Sequence, residues 1–306
     1  MELSLERITK SFGEKNVLKD VSFKVSGGSA FGLLGRNGAG KTTTIRIIVD
    51  IFKADGGRVL WNGSPVDYSK IKMGYLPEER GLYPKINVGD QMVYIGRLKG
   101  LDPATAKKNA SALLEELEAS EYWPKKLETL SKGNQQKIQL AIAVLHDPDV
   151  VILDEPFSGL DPVNAQMLKN LITKQVKKGK VVLFSSHQMP YVEEFCQHIC
   201  IYNNGNIAVE GRISDIKKTY LRNRISVSPE KPPKEFLDEA AKDPSWGDIV
   251  AEAACKDSEV HITLKSPDDK KILFSFLSGR GFGINSFSVI EPTLEEIFVE
   301  KAGGSA

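Results

Sequence analysis

The sequence predicts an α/β domain followed by a small α+β unit, on three observations. Two apolar runs, "DVVILDEP" and "KVVLFSSH", are of the kind that parallel strands show when both faces are buried, and residues 162–178 between them have helical spacing. A Gly-rich turn, "GRNGAGKT", stands between a short apolar strand and a helix. After about Ile216 the composition changes: "RISVSPEKPPKEF" carries three prolines and opens a second unit with strands and helices in βαββαβ-like order.

Alternation of apolar and polar residues in "LSLERI" and "VSFKV" predicts an antiparallel β layer at the start. "SAFGLLG" reads as a short buried strand, "KTTTIRIIVDIF" as the helix after the Gly-rich turn, and "GRVLWNG" and "KMGYL" as further strands. From Val88 to His146 the pattern is helical: "GDQMVYIGRLKG", then "DPATAKKNASALLEELEA" with Asp102 and Pro103 as starting signals, then a helix after Ser131. This block, about 87–146, reads as a helical insertion between core strands. "HICIYNNGNIAVEG" reads as a hairpin with "NNGN" at its turn. The second unit reads as a strand near Ile225, a helix at 234–241, strands near 249–254 and 259–264, a helix at 269–278 and a strand at 284–290. A last helix starts from Thr293, where "TLEE" fits a capping box. That order suggests a ferredoxin-like domain, so the expected division is 1–215 and 216–306.

Composition narrows the partners. With 306 residues, 41% hydrophobic and 26% charged, the chain is an ordinary globular one, long enough for two domains. A formal net charge of +1 sets no strong field toward a polyanion, and no nucleic acid is expected. No apolar run reaches the roughly 18 residues of a membrane span. The opening "MELSLERITKSF" alternates and carries acids early, as a first strand does and a secretory signal does not. A cytosolic placement follows, with attachment to a membrane partner open. Three cysteines are too few for a disulfide framework, and "FCQHIC" lacks a second ligand pair at zinc spacing. Cys196 and Cys200 read as buried structural thiols.

The chemistry is concentrated in short motifs. "GRNGAGKT" satisfies G-x-x-x-x-G-K-[ST] in the strand–turn–helix setting of a P-loop. Gly35, Asn37, Gly38 and Gly40 let backbone N–H groups close around phosphate oxygens. Lys41 can reach the β- and γ-phosphates, and Thr42, followed by Thr43, can bind Mg²⁺. "VVILDEP" ends a buried strand with Asp154 and Glu155, a costly pair unless solvated, paired or metal-bound. Beside a P-loop, Asp154 suits an Mg²⁺-linked role, and Glu155 can activate or orient a water. His187 in "LFSSHQM" ends another strand on the sheet edge where open α/β sheets bind ligands, which suits a γ-phosphate contact. Finally, "LSKGNQQK" sets Ser131 and Gly133 at a helix N-terminus, which favours an anion, although no other phosphate-holding residue stands nearby.

The ordered set "GRNGAGKT", "LSKGNQQK", "VVILDEP", "SGLD" and "SSH" resembles the nucleotide-binding subunit of an ABC transporter over about residues 1–215. The resemblance implies a P-loop NTPase with a RecA-like core, an antiparallel β subdomain and an inserted helical subdomain, working with ATP and Mg²⁺. It makes Phe12 in "KSFGEKNVL" the aromatic that stacks on adenine, where the residue alone would read as core. Asp161 resembles the acid that crosses to the opposite site. "GYLPEERGLYP" occupies the Q-loop, and Glu78 stands where the family usually has Gln. A carboxylate there can still bind Mg²⁺ or polarise water, but it adds negative charge near phosphates. In the signature, Lys132 and Asn134 replace Gly and Gln of the usual LSGGQ, while Ser131 and Gly133, the phosphate-facing parts, stay. By the same resemblance, that signature serves a phosphate held mainly by a second subunit's P-loop; the positive charge of Lys132 near that phosphate would partly offset Glu78.

The ending "EPTLEEIFVEK" resembles the C-terminal domain of prokaryotic ABC type-2 export ATPases, a group similar to sodium-extrusion and drug- or lipid-export ATPases. The implied function is an ATPase subunit that dimerises around two ATP, a homodimer before a heterodimer. It would power export through a separate membrane permease, at the cytoplasmic face of the cell membrane. Two rivals stay open. A non-transport ABC ATPase acting on ribosome or DNA is disfavoured by the single motif set and the lack of coiled coil between motifs. A regulatory module that binds ATP with little turnover is kept in play by Glu78.

Overall fold

The computed structural model describes residues 1–79, 81–220 and 223–302. They form two compact units: Met1–Ile213 with the described residues from Phe298 onward, and Ser214–Ile297. The end of the chain thus departs from the expected division. Asn203 Nδ2 donates to the Lys301 carbonyl at 3.0 Å and Ala302 is buried, so the final turn belongs with the larger unit.

The larger unit opens with β1 (Glu2–Phe12), β2 (Lys15–Ser26), β3 (Ala30–Gly35), α1 (Lys41–Ile48), β4 (Gly56–Trp61), β5 (Ser64–Pro65) and β6 (Met73–Leu76). A helical block comes next, α2 (Val88–Leu98), α3 (Pro103–Glu116) and α4 (Lys132–Val144). The core then resumes with β7 (Val150–Asp154), α5 (Pro162–Lys177), β8 (Val181–Ser185), α6 (Met189–Phe195), β9 (Cys196–Asn203) and β10 (Asn206–Arg212). One sheet is antiparallel in the order β2-β1-β4-β5; the other runs β10-β9-β3-β8-β7-β6, parallel throughout except for β10.

Local chemistry explains these elements. In β2, Val21, Phe23 and Val25 are buried while Ser22 and Lys24 are exposed, the period-two pattern of a half-buried strand. They meet Phe31, Leu33, Ile45, Ile48, Ile152 and Leu183 in one core, each fully buried side chain contributing about 1.5–3 kcal/mol. β1 breaks the alternation: Ser4 is buried with Leu3 and Leu5, and a bulge between Leu5 and Ile8 sets Arg7 at φ 50°. Helix α1 is shorter than "KTTTIRIIVDIF" because Asp50 turns left-handed (φ 62°) and Ile51 N donates back to the Arg46 carbonyl. α3 starts where expected: an Asp102 carboxylate oxygen accepts from Ala104 N and Thr105 N, both at 3.0 Å, and Pro103 occupies the first turn.

After α7 (Ile213–Lys218), the smaller unit contains β11 (Arg224–Pro229), α8 (Pro233–Ala240), α9 (Pro244–Ile249), β12 (Val250–Lys256), β13 (Glu259–Leu264), α10 (Lys270–Gly279) and β14 (Ile284–Val289). α11 (Leu294–Lys301) closes the described chain. The sheet order β12-β13-β11-β14, antiparallel at every pairing, is the ferredoxin-like arrangement. α9 takes residues just before the strand expected near 249–254; Asp243 caps it by accepting from Ser245 N at 2.9 Å, with Pro244 in its first turn. The "TLEE" box forms: Glu296 N donates to Thr293 Oγ1 at 3.2 Å, and Thr293 N to a Glu296 carboxylate oxygen at 3.0 Å. Arg224 grips that carboxylate through two further bonds of 2.8 and 3.0 Å.

Candidate functional site

Four neighbouring parallel strands end along one sheet edge. In the order β3, β8, β7, β6 they lead into the Gly-rich turn, His187, the Asp154–Glu155 pair and Glu78. Motifs far apart in sequence are thereby set side by side, at the strand ends where open α/β sheets take ligands. They line a cleft of about 390 Å³ together with Phe12, Asn37, Gly38, Gly40, Lys41, Thr42 and Thr43. Lys15 and Val17 also line it; they stand in the same "KSFGEKNVL" stretch as Phe12, where the sequence reading assigns a role to Phe12 alone. Gly35 lies behind, its carbonyl accepting from Lys41 Nζ at 2.7 Å.

The turn is built to leave N–H groups free. Gly40 caps α1 at φ 116° with no side-chain cap, so the first helical N–H groups point outward for an anion. A Cβ on Gly40 would lie 2.6 Å from Leu18 Cδ2. Beneath it, fully buried Tyr202 donates to Thr44 Oγ1 at 3.1 Å, and Thr44 Oγ1 donates to the Gly40 carbonyl at 3.0 Å. Tyr202 escapes a sequence reading because an aromatic inside a strand looks like core, and its partner is 158 positions away.

Charge is balanced tightly here. Burial lowers the pKa of Lys41, while Glu155, Asp154 and Glu78 act in the opposite direction and favour its ammonium. Asp154 is buried; one carboxylate oxygen accepts from Ser185 Oγ, and the other, buried Oδ2, has no hydrogen-bond partner. An orphaned anionic oxygen in a cleft is where a divalent cation fits. Among the described residues no three His, Cys, Asp or Glu gather as a metal site, and Mg²⁺ needs fewer, since it shares phosphate and water oxygens. Thr42 and Asp154 suit it, with Glu78 on the same cleft wall.

Glu155 sits at φ 50°, a left-handed conformation that a side-chain-bearing residue keeps only when its surroundings enforce it. Its N–H is shared between the Ser185 carbonyl and Ser185 Oγ, each at 3.2 Å. Its Oε2 lies 3.0 Å from His187 Nδ1; the carboxylate is buried and the imidazole more than half exposed. Phe12 is 45% exposed, held edge-on by Phe52 with centroids 5.4 Å apart, which leaves ring surface for a base.

Ser131, Gly133 and Asp161 lie outside this cleft. Exposed Ser131 caps α4, its Oγ accepting from Asn134 N at 3.3 Å; Asn134 in turn donates to the Tyr122 hydroxyl at 2.8 Å. Gly133 is buried, and a Cβ there would lie 3.1 Å from Asn164 Nδ2. Asp161 caps α5, accepting from Asn164 N at 2.9 Å, and that backbone bond holds its carboxyl below the usual range. Cys196 and Cys200 are buried within β9, and burial pushes both thiols well up. Among the described residues no helix is long and apolar enough to cross a membrane.

A P-loop at a helix start, a strand-end Asp and a Glu–His pair on this sheet order define a P-loop NTPase with an inserted helical block. Likeness to known proteins makes the family specific: the chain belongs to the ATP-binding proteins of ABC transporters. The ABC transporter family profile matches residues 18–158, and that of the ATP-binding protein DrrA1-3-like C-terminal domain matches residues 211–302. The chain is 41% identical, over 98% of each sequence, to the uncharacterized ABC transporter ATP-binding protein YhaQ of Bacillus subtilis (strain 168). It is 30% identical, again over 98% of each, to the linearmycin resistance ATP-binding protein LnrL of the same bacterium. A solved ATP-binding subunit of an ABC transporter superposes with a TM-score of 0.66 at 29% identity, covering 72% of this chain and 93% of that one.

Proposed function

We propose that the chain hydrolyses ATP and works as a pair, closing around two ATP to drive export through a separate membrane-spanning permease. The observation that carries this reading is the single cleft in which Lys41, Thr42, Asp154, Glu155 and His187 converge with Phe12. Phe12 stacks on the adenine. The α1 N-terminus and the backbone of Asn37, Gly38 and Gly40 hold the phosphates. Lys41 exchanges its bonds to the Gly35 and Arg36 carbonyls, 2.7 and 3.3 Å long, for phosphate oxygens.

Thr42, Asp154 and Glu78 would hold Mg²⁺, which neutralises phosphate charge when bound. Glu155 directs the attacking water, and His187 turns from the Glu155 carboxylate toward the γ-phosphate. Ser131 and Gly133, outside their own chain's cleft, serve the γ-phosphate of a second copy, and Asp161 reaches across beside them. The smaller unit and the full-length likeness to a resistance protein favour export.

Glu155→Gln keeps the shape and removes the carboxylate. Steady-state phosphate release should fall at least about 100-fold with ATP binding retained. Turnover at the wild-type rate would overturn the assignment.

A further inference from the structure

The left-handed conformation of Glu155 needs support from its neighbours, and Pro156 and Phe157 are held from different sides. Pro156 offers its carbonyl to Gln136 Nε2 at 3.2 Å, so the helix that begins at the signature grips the turn directly. Phe157, 2% exposed, is enclosed by rings. Tyr191 stacks on it at 4.4 Å between centroids, Phe195 at 5.5 Å, and Phe184 meets it edge-on at 6.2 Å. Tyr191 and Phe195 belong to α6, the helix entered directly after His187. Lys169 of α5 lies over both, 5.0 Å from the Tyr191 centroid and 5.5 Å from that of Phe195, and is ion-paired with Glu194.

Ring stacking and cation–π contacts of this kind are directional, so the enclosure fixes an orientation as well as filling space. We propose that the Pro156–Phe157 turn is a positioning junction: Gln136 and Tyr191 hold it so that Glu155 stays left-handed with its carboxylate against His187. If either grip is released, the backbone at Glu155 relaxes from its strained conformation and the carboxylate leaves His187 and the water position. Gln136 and Tyr191 do not line the cleft, so neither touches nucleotide there; they act through Glu155 and His187. Because Gln136 lies on the helix started by Ser131, the junction also joins a signature occupied by a second copy's ATP to the chain's own catalytic turn. This inference rests on the proposed roles of Glu155 and His187.

The test compares the full-length wild type with Tyr191→Leu, Tyr191→Phe, Gln136→Leu and Glu155→Gln, measuring kcat, ATP affinity by calorimetry and thermal melting. Tyr191→Leu and Gln136→Leu should each lose roughly 10- to 100-fold in kcat while ATP affinity stays within about two-fold. Tyr191→Phe, which keeps the ring, should restore turnover. Should Tyr191→Leu fail to fold, Gln136→Leu carries the test. Wild-type kcat in either folded Leu variant, or affinity falling in step with kcat, overturns the junction. A wild type without turnover, or Glu155→Gln matching an active wild type, would instead overturn the ATPase reading.

Discussion

Asp154 and Glu155 are adjacent carboxylates with opposite surroundings. Asp154 ends β7 facing Ser185, buried and with one oxygen orphaned; the left-handed turn at Glu155 sends the next carboxylate to His187 instead. One backbone angle thus sends two adjacent carboxylates to different partners, as the proposed cation-holding and water-directing roles require. His146 shows the structural use of the same residue type as His187. It is 3% exposed, one ring nitrogen lies 3.2 Å from the Met73 carbonyl, and burial, with Lys99 nearby, lowers its pKa to about 4. A histidine with a depressed folded pKa stays neutral when folded and charges when unfolded. Its contribution is therefore complete above the unfolded value near 6.5 and is lost as pH falls toward 4. Chemical denaturation should show the wild type losing up to about 3 kcal/mol across that window, and His146→Leu losing correspondingly less. Parallel pH slopes for the two proteins would contradict this.

At the scale of elements, the β9–β10 hairpin is the underside of the P-loop. Tyr202→Phe removes one buried hydroxyl bond while Thr44 keeps its bond to Gly40, so denaturation should report about 1 kcal/mol lost. Gly40→Ala meets both Leu18 and a positive φ; it should abolish ATP binding in calorimetry, and retained affinity would show that the turn tolerates a Cβ. The strands and the P-loop helix were legible because apolar runs and punctuating glycines are local signals. The cleft was legible because each motif ends a strand, and neighbouring parallel strands bring those ends together. Features that are non-local, or hidden by a competing pattern, were not legible. Tyr202 and Phe157 read as ordinary core, Lys15 and Val17 sit in the Phe12 stretch with side chains that signal no chemistry of their own, and α9 was masked by the adjoining β pattern despite its Asp-Pro start. The shortening of α1 turns on the left-handed Asp50, which helix spacing alone does not reveal.

For the whole molecule, the central question raised by "LSKGNQQK" is whether it serves a phosphate bound by a second copy. Ser131 stands exposed at the start of α4, outside the cleft that Gly38, Gly40, Lys41 and Thr42 of the same chain line. In the proposed pair, a second copy placed head to tail would bring its Ser131 and Gly133 to each cleft, and the Gln136–Pro156 bond would then tie the two sites together. The most direct measurement is the mass of Glu155→Gln by light scattering with and without ATP. Hydrolysis-blocked protein should become a dimer only with ATP, and adding Ser131→Arg should leave it monomeric while ATP still binds. A Glu155→Gln protein that binds ATP yet stays monomeric, or a dimer indifferent to Ser131→Arg, would contradict the account.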